Sequence, residues 1–540
     1  MESQPPAEPA AGRSGLLRST GVVGGMTLVS RVLGLVRDVV FARVFGAGTG
    51  MDAFFVANKI PNMLRRFFAE GAFAQAFVPV FTDYRSTRGE AETRALADAV
   101  TGVLALALFG ITVLGVLAAP VLVFLVAPGF TQDGARFDLS VEMLRWTFPY
   151  LLFISLTALA GGILNSHGRF AVPAFTPVLL NVVLIVFAVW LSPRWARPEM
   201  ALALGVFVAG IVQLAFQLPA LARIRMLPRP RLRFDHPGVR RIGVLMLPAI
   251  FGSSVAQINV VFDNIIASFL QTGSVSWLYY ADRLMEFPLG VFGIALATVI
   301  LPGLSAQHAR RSREGFASML DYALRLVLLI GIPATAGLAV LATPLIVTIF
   351  FGGEFAARDV GMASVALVAY AAGLLGFILV KVLAPGYFSR QDTRTPVRIG
   401  VIALGLNMLL NVVFVLGLLR LGFDAPHAGL ALATSLAALL NAGLLYRGLR
   451  REGVYWAGAG WAALIMRIGL AVSAMVLLLW WLRDVPGDWL ALAPLARVGW
   501  LALAVCGGAA CYFLVLFASG FRPAQLRGFA SHGQRSDPSL

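Results

Sequence analysis

The sequence predicts an all-α, polytopic membrane protein with about fourteen transmembrane helices, arranged as two six-helix lobes followed by two C-terminal helices. Three observations support this prediction. Hydrophobic residues make up 59% of the 540 residues and charged residues only 13%, about half the share found in soluble domains. The apolar residues form runs long enough to cross a bilayer. A segment in the second half of the chain also repeats one in the first half.

Apolar runs of roughly 17–25 residues mark the predicted spans. In chain order they lie near 22–43, 53–82, 98–126, 141–164, 173–192, 200–222, 242–270, 275–303, 320–350, 362–388, 397–419, 427–446, 462–482 and 496–518. Two long spans that contain Pro or Gly are expected to kink. The first run carries charge in its middle, which favours a retained first span over a cleaved secretory signal.

Lys and Arg are distributed unevenly between the predicted loops. The two tails and the loops after even-numbered spans hold roughly three times as many as the opposite loops, which predicts that both termini are cytoplasmic. The loop Arg223–Arg241 is the strongest cytoplasmic anchor and is expected to contact membrane lipids with anionic head groups. It lacks a series of interleaved aromatic residues, so we predict no nucleic-acid partner.

An internal repeat is visible in ILNSHGRFAVPAFTPVLLNVV (Ile163–Val183) and LAPGYFSRQDTRTPVRIGVIALGLNMLLNVV (Leu383–Val413). Both run from a helix end through a basic turn and Thr-Pro into a helix with a common ending, in which Asn181 corresponds to Asn411. Paired repeats are typical of alternating-access transporters, with the substrate site between the copies. The predicted divisions are a disordered cytoplasmic tail at 1–19, an N-lobe at 20–222, the basic loop at 223–241, a C-lobe at 242–446, appended spans at 462–518 and a cytoplasmic tail at 519–540.

Several cations lie inside the predicted spans, and half of them belong to the first two. Placing an Arg or Lys at the bilayer centre costs roughly 2.5–3.5 kcal/mol, so such residues are expected to line a wet cavity or to pair with acids. The cations of the first two spans are Arg31, Arg37, Lys59, Arg65 and Arg66. Near span ends we expect snorkelling instead, at Arg145, Arg325 and Arg467.

The arrangement of these charges predicts an anion-binding cavity. Asp38 lies on the same face of the first span as Arg31, and Arg66 and Glu70 form an i,i+4 pair in the second. Arg283 is the counterpart of Lys59 in the second copy. The other charged candidates of that copy are Asp282, Glu286 and Lys381. Diphosphate fits Arg forks well, so a diphosphate-bearing ligand is predicted.

Four stretches make a specific family resemblance: SRVLGLVRD, DAFFVANKIPNMLRRFFAEGAFAQAFVPVF, GSVSWLYYADRLMEFPLGVFGIALATVILP and VKVLAPGYFSRQDTRTPV. They closely resemble the MurJ (MviN) family of lipid II flippases, within the multidrug/oligosaccharidyl-lipid/polysaccharide exporter superfamily, over roughly residues 20–520. The resemblance implies that lipid-linked peptidoglycan precursor is flipped to the periplasmic leaflet of the bacterial inner membrane. It also implies that the two appended spans hold the undecaprenyl tail. The matching site positions are Arg31, Arg37, Asp38, Asp52, Arg65, Arg283 and Glu286.

Some members of this family resemble sodium-coupled carriers, which implies a cation site here at Asp263, Asn407, Asn411 and Thr434. Oxygen ligands of these types suit a hard cation. Asn411 stands where some relatives carry an acid, and amides that bridge helices are the alternative. No cofactor is predicted, and the membrane potential is a second candidate energy source.

Other function classes were weighed against the flippase. An enzyme such as an intramembrane glycosyl or phosphoryl transferase is disfavoured, because all five histidines lie in predicted loops or the tail and leave no metal or His-base cluster in the membrane. Neither lysine is followed by Ser or Thr, which excludes a Walker A loop. A flippase for another undecaprenyl-diphosphate-linked oligosaccharide and a cation-coupled exporter remain alternatives. A scaffold for cell-wall synthesis enzymes would leave the buried arginines unexplained, although such enzymes are candidate partners beside lipid II.

Overall fold

The computed structural model describes residues 11–66, 72–290 and 294–522, and within these ranges the chain is helical. The one β-type pairing among them is an isolated bridge between Gly352 and Phe355. The all-α prediction is therefore confirmed. The chain divides into two compact units, with the boundary between Phe269 and Leu270.

The first unit contains the helices α1 to α10. They are α1 (Ala11–Phe45), α2 (Thr49–Arg65), α3 (Ala72–Thr87), α4 (Gly89–Leu117), α5 (Ala119–Val126), α6 (Gly134–Thr147), α7 (Tyr150–Ser166), α8 (Ala171–Val186), α9 (Met200–Arg223) and α10 (Pro237–Ser268). A 3₁₀ turn covers Pro128–Gln132, and a π-helical turn at Phe187–Leu191 extends α8.

The second unit contains the helices α11 to α20. They are α11 (Ser274–Pro288), α12 (Ile294–Ala309), α13 (Arg313–Val340), α14 (Ala342–Phe350), α15 (Ala357–Ala371), α16 (Leu374–Phe388), α17 (Arg394–Arg420), α18 (Ala428–Arg451), α19 (Trp461–Asp484) and α20 (Pro494–Ala518).

The predicted spans coincide with one helix or with two consecutive helices. The second span corresponds to α2 and α3, and the ninth to α13 and α14, which are separated at Leu341. By length and hydropathy, ten helices of the described ranges can cross a membrane. The chain is therefore a multi-pass membrane protein, and the count of fourteen spans stays a prediction that these helices fit.

Packing in the first unit brings together helices that are far apart in sequence. α1 lies along α8, α2 along α6, and α10 along α3 and α4. A buried aromatic pair also joins α1 to α2, with Phe41 edge-on to Phe54 at 5.7 Å between ring centroids. α10 opens the predicted C-lobe but belongs to the first compact unit, and the division into lobes stays a prediction.

In the second unit the two C-terminal helices pack on each other and on α13. Leu329 of α13, Ile468, Met475 and Leu479 of α19, and Tyr512 of α20 form one buried apolar cluster. The Tyr512 hydroxyl donates to the Leu329 carbonyl at 2.7 Å, which satisfies its polar atom inside that cluster. The appended helices are thus fixed to the body of the second unit.

Candidate functional site

Arg37 lies at the centre of a polar network in the first unit. Its Nε and Nη2 donate to Oδ1 of Asp38 at 3.0 and 2.7 Å, and its Nη1 donates to Oδ1 of Asn181 at 3.1 Å. Asp38 is fully buried and the Arg37 side chain is 12% exposed. The guanidinium also lies over the Phe41 ring, 5.5 Å from its centroid. A cation is therefore held in a defined orientation on α1.

Arg31 lies in a different environment on the same helix. It is exposed, as are Leu28, Val29 and Val32 next to it on α1. In contrast with Arg37, it belongs to an open stretch of the first unit. Asp38, which the helical spacing places on the same face as Arg31, forms an ion pair with Arg37.

The second predicted group of cations lies on α2. Nζ of Lys59 donates to Oδ1 of Asn264 on α10 at 2.8 Å. Arg65 is half-buried at the end of α2, and Arg66 follows it as an exposed residue. Glu70, the predicted partner of Arg66, lies outside the described residues.

Asp52 forms the core of a separate charge cluster. It is fully buried, and its Oδ2 lies 3.7 Å from Nη1 of Arg136 on α6. Arg136 also lies 3.6 Å from Asp133 and over the ring of Phe130, 4.4 Å from the centroid. Asp52 and Arg136 therefore form an ion pair that joins α2 to α6. Arg136 was not predicted from the sequence because this residue lies before the start of the predicted fourth span. Asp133 has a second role, since its side chain accepts a hydrogen bond from the Arg136 backbone amide and so caps the start of α6.

In the second unit, Arg283 contacts two neighbours on its own helix. Its Nη1 lies 3.0 Å from Oε2 of Glu286, and its Nη2 donates to the Tyr279 hydroxyl at 3.0 Å. The two charged side chains are 33% and 52% exposed, so this pair is open where the Arg37 pair is buried. Lys381 is exposed on α16. Cations with acidic or amide partners therefore occur in both units.

The polar residues predicted to bind a cation form a ladder in the second unit. Nδ2 of Asn411 donates to Oδ1 of Asn407 at 2.8 Å, and Nδ2 of Asn407 donates to Oγ1 of Thr434 at 3.1 Å. This ladder joins α17 to α18 with neutral groups. Asp263 is half-buried on α10 of the first unit, where Asn259 donates to it at 3.5 Å.

The ladder bridges two helices, as the alternative to cation binding predicts, and the cation site stays a prediction. Its three residues carry no carboxylate, and the Asn407 and Thr434 oxygens already accept amide hydrogen bonds. Within the described ranges, no group of three His, Cys, Asp or Glu residues is arranged to hold a metal ion.

The prediction that Arg325 snorkels from its helix end is wrong. Its side chain is buried, its Nε lies 2.7 Å from Oδ2 of Asp321, and its Nη2 donates to the Ala459 carbonyl at 2.7 Å. The guanidinium lies over the Trp461 ring, 5.0 Å from the centroid. It therefore connects α13 to the linker before α19. Arg145 is exposed and Arg467 is partly buried.

Comparison with known proteins gives consistent matches along the chain. The family model described as "Lipid II flippase MurJ" matches residues 41–497. The "Probable lipid II flippase MurJ" of Vibrio cholerae is 48% identical over 519 residues, which cover 95% of this chain and 98% of that relative. The "Lipid II flippase MurJ" of Burkholderia cenocepacia is 43% identical over 520 residues, which cover 95% and 99%.

Solved structures agree with these relatives. "Lipid II flippase MurJ, inward closed conformation" matches with a TM-score of 0.76 and 27% identity, over 91% of this chain and 97% of that one. An inward-facing multidrug resistance MATE family transporter of the MOP superfamily matches with a TM-score of 0.61 and 15% identity, over 80% and 98%. The second likeness shows a shared fold alone.

Proposed function

The chain belongs to the MurJ family of lipid II flippases, and from this premise we propose that it moves lipid II from the cytoplasmic to the periplasmic leaflet of the bacterial inner membrane. The protein is a transporter, and its substrate carries a diphosphate between the sugar head and the lipid tail. The arginine distribution supports an orientation with both termini in the cytoplasm.

The observation that carries the proposal is the oriented guanidinium of Arg37. A planar guanidinium forms two parallel hydrogen bonds with a phosphate, and its charge persists in a dry environment. Arg37 is held by Asp38 and Asn181, so little further ordering is needed when an anion binds. Lys59 adds a second oriented cation, on α2.

Release of the diphosphate requires a group that competes for the cations. Glu286 is suited to this role because it contacts Arg283 at 3.0 Å and is half exposed, so its carboxylate can leave and return. The same arginine then has an acid-paired state and a phosphate-paired state. We propose that alternation between such states accompanies alternating access, as in other transporters built from repeats.

The energy source is a further part of the proposal. The charged groups of the candidate site, Arg37, Lys59 and Arg283, are those on which a membrane potential acts, and sodium binding is the alternative source. A potential of 100 mV changes the free energy of each elementary charge that crosses the membrane by about 2.3 kcal/mol. Flipping in proteoliposomes with an imposed potassium diffusion potential should respond to the potential. Replacement of sodium by choline tests the sodium site of Asp263, Asn407, Asn411 and Thr434.

The central experiment measures flipping of fluorescent lipid II in proteoliposomes by bleaching with dithionite from outside. Arg37→Ala and Arg283→Ala should each slow flipping by about tenfold or more, because each removes charge-assisted hydrogen bonds. Arg145→Ala, at an exposed arginine outside the network, is the matched control. Normal rates in both variants would refute the anion-binding role. Flipping of a different oligosaccharide linked to undecaprenyl diphosphate, measured in the same assay, tests whether the protein selects the head group.

A further inference from the structure

Two buried asparagines of the first unit each accept a hydrogen bond from a cation of the candidate site. Asn181 of α8 is 6% exposed, and its Oδ1 lies 3.1 Å from Nη1 of Arg37. Asn264 of α10 is 3% exposed, and its Oδ1 lies 2.8 Å from Nζ of Lys59. We infer that Asn181 and Asn264 are positioning residues that orient these cations without neutralising them, an inference that rests on the proposed function.

The orientation of the Asn181 amide is set from both ends. Its Nδ2 donates to the Ser30 carbonyl of α1 at 3.0 Å. A guanidinium has donors only, so the atom that faces Arg37 must be the amide oxygen. Asn181 thereby joins α8 to α1 at two points of α1, and a movement of either helix would shift Arg37.

Asn264 is oriented by the same chemistry on a different helix. An ammonium group also has donors only, so Oδ1 must face Lys59. Nδ2 of Asn264 is buried, and no hydrogen-bond partner is found for it in the described part of the chain. The lysine contact is thus the hydrogen bond that fixes this amide, and it links α2 to α10.

A neutral acceptor has a specific advantage beside an anion-binding cation. A carboxylate at either position would also orient the cation, but its charge would compete with a phosphate for it. At Arg37, where Asp38 already supplies one carboxylate, the Asn181 oxygen adds a hydrogen bond without adding a second negative charge. The repeat places Asn411 at the position equivalent to Asn181, and there the same residue type bonds to another amide, Asn407.

Chemical modification tests the positioning directly. The purified full-length protein is treated with phenylglyoxal for arginine or an acetylating reagent for lysine, and peptide mass spectrometry follows Arg37 and Lys59. Asn181→Ala should raise the modification rate of Arg37 by about fivefold, the equivalent of one lost hydrogen bond. Asn264→Ala should do the same for Lys59. Lys381 is an internal standard, since the chain has two lysines.

Matched variants separate positioning from general loosening. Gln217→Ala removes another buried amide of the first unit, one that bonds to the Thr176 hydroxyl at 2.9 Å, and should leave both rates unchanged. Asn181→Asp and Asn264→Asp retain an acceptor and add a negative charge that favours the protonated cation, so their modification rates should not rise above the wild-type level. Unchanged rates in both alanine variants, or an equal rise in Gln217→Ala, would overturn the inference.

Lipid II affinity of the same variants tests the charge argument. Asn181→Asp and Asn264→Asp should weaken binding by about tenfold although their modification rates do not rise, because they add a competing negative charge. Wild-type affinity in both aspartate variants, with weaker binding in the alanine variants, would refute the need for a neutral acceptor. If the alanine variants change the modification rates but no variant alters lipid II affinity, the positioning stands and the proposed substrate role of Arg37 and Lys59 fails.

Discussion

Asp52 of α2 and Arg136 of α6 form an ion pair in the interior of the first unit, with Oδ2 and Nη1 3.7 Å apart. Asp52 has no exposed surface, and Arg136 is 6% exposed. A buried charge is tolerated only with a partner, so Asp52 and Arg136 stabilise each other, with Asp133 as a second acid 3.6 Å from Arg136. The pair also joins two helices that are distant in sequence.

We predict that Asp52→Ala lowers the free energy of unfolding by about 3–5 kcal/mol, because it leaves the Arg136 guanidinium buried without this counterion. Arg136→Ala should cost a similar amount, and the double variant less than the sum. Unfolding in mixed micelles gives the coupling energy of the double-mutant cycle. The exposed Arg197–Glu142 pair, 2.8 Å apart, is the control and should couple by less than about 1 kcal/mol. Equal coupling in the two pairs would contradict the prediction.

A second prediction concerns the attachment of the appended helices. Asp321 accepts hydrogen bonds from Arg325, Tyr455 and Trp461 at 2.7, 2.8 and 2.7 Å. Asp321→Asn should cost about 3 kcal/mol, because it leaves the buried Arg325 without its carboxylate. The measurement is the rate of proteolytic cleavage in the linker 452–460, which should be faster in the variant than in the wild type.

Removing a single donor at this junction should have a smaller effect. Burial and the Asp321 carboxylate raise the pKa of the Tyr455 phenol, so it remains a donor. Tyr455→Phe should cost about 1 kcal/mol. Tyr446→Phe, in which the altered ring lies 5.6 Å from that of Tyr455, is the matched control and should cleave at the wild-type rate. Cleavage unchanged in Asp321→Asn would show that the linker is held by other contacts.

The spans were predictable from the sequence because hydropathy and the length of an apolar run depend only on residues that are neighbours in the chain. Arg37 and Asp38 were predictable as charged residues inside such a run, but the helical spacing placed Asp38 with Arg31, and the Arg37–Asp38 pair was not predicted. Asn181, the buried partner of Arg37, was visible only as a repeated residue, since nothing in the spacing reveals which helices pack together.

The contacts that the sequence could not reveal are long-range. Lys59 and Asn264 are 205 residues apart, and the Arg325 guanidinium meets the Ala459 carbonyl across 134 residues. The position of Arg325 near a helix end was compatible with snorkelling, and only the folded linker shows that the side chain is enclosed. Sequence spacing gives the face of a helix, whereas tertiary packing decides what covers it.

Glu286 provides a prediction about turnover. Glu286→Gln removes the negative charge 3.0 Å from Arg283, so the arginine should bind lipid II more tightly and release it more slowly. Because the pair is half exposed, we expect KM and the maximal flipping rate each to fall by about two- to fivefold. Proteoliposome flipping at varied lipid II concentration measures both. Glu142→Gln, at the exposed pair of the first unit, should change neither value. A rise in KM in Glu286→Gln would exclude competition between Glu286 and the substrate.

His236 gives a prediction about pH. Its Nδ1 accepts a hydrogen bond from the Gly238 amide at 3.1 Å and so caps the start of α10. Protonation of Nδ1 would abolish this bond. Burial, followed by the nearby Arg233 charge, lowers the pKa of His236 below its ordinary value of 6.5. The other groups that face it are Arg88, Glu92, Asp235 and the ring of Tyr84.

Because the folded-state pKa is lowered, the stabilisation by neutral His236 is complete above about pH 6.5 and is lost as the pH falls through the folded-state value. His236→Asn can still cap the helix but does not titrate. Its unfolding free energy should therefore depend less on pH than that of the wild type between about pH 7.5 and about pH 5. His308→Asn, at an exposed histidine of α12, is the control and should leave the slope unchanged. A slope equal to the wild type in His236→Asn would show that the cap does not depend on the neutral imidazole.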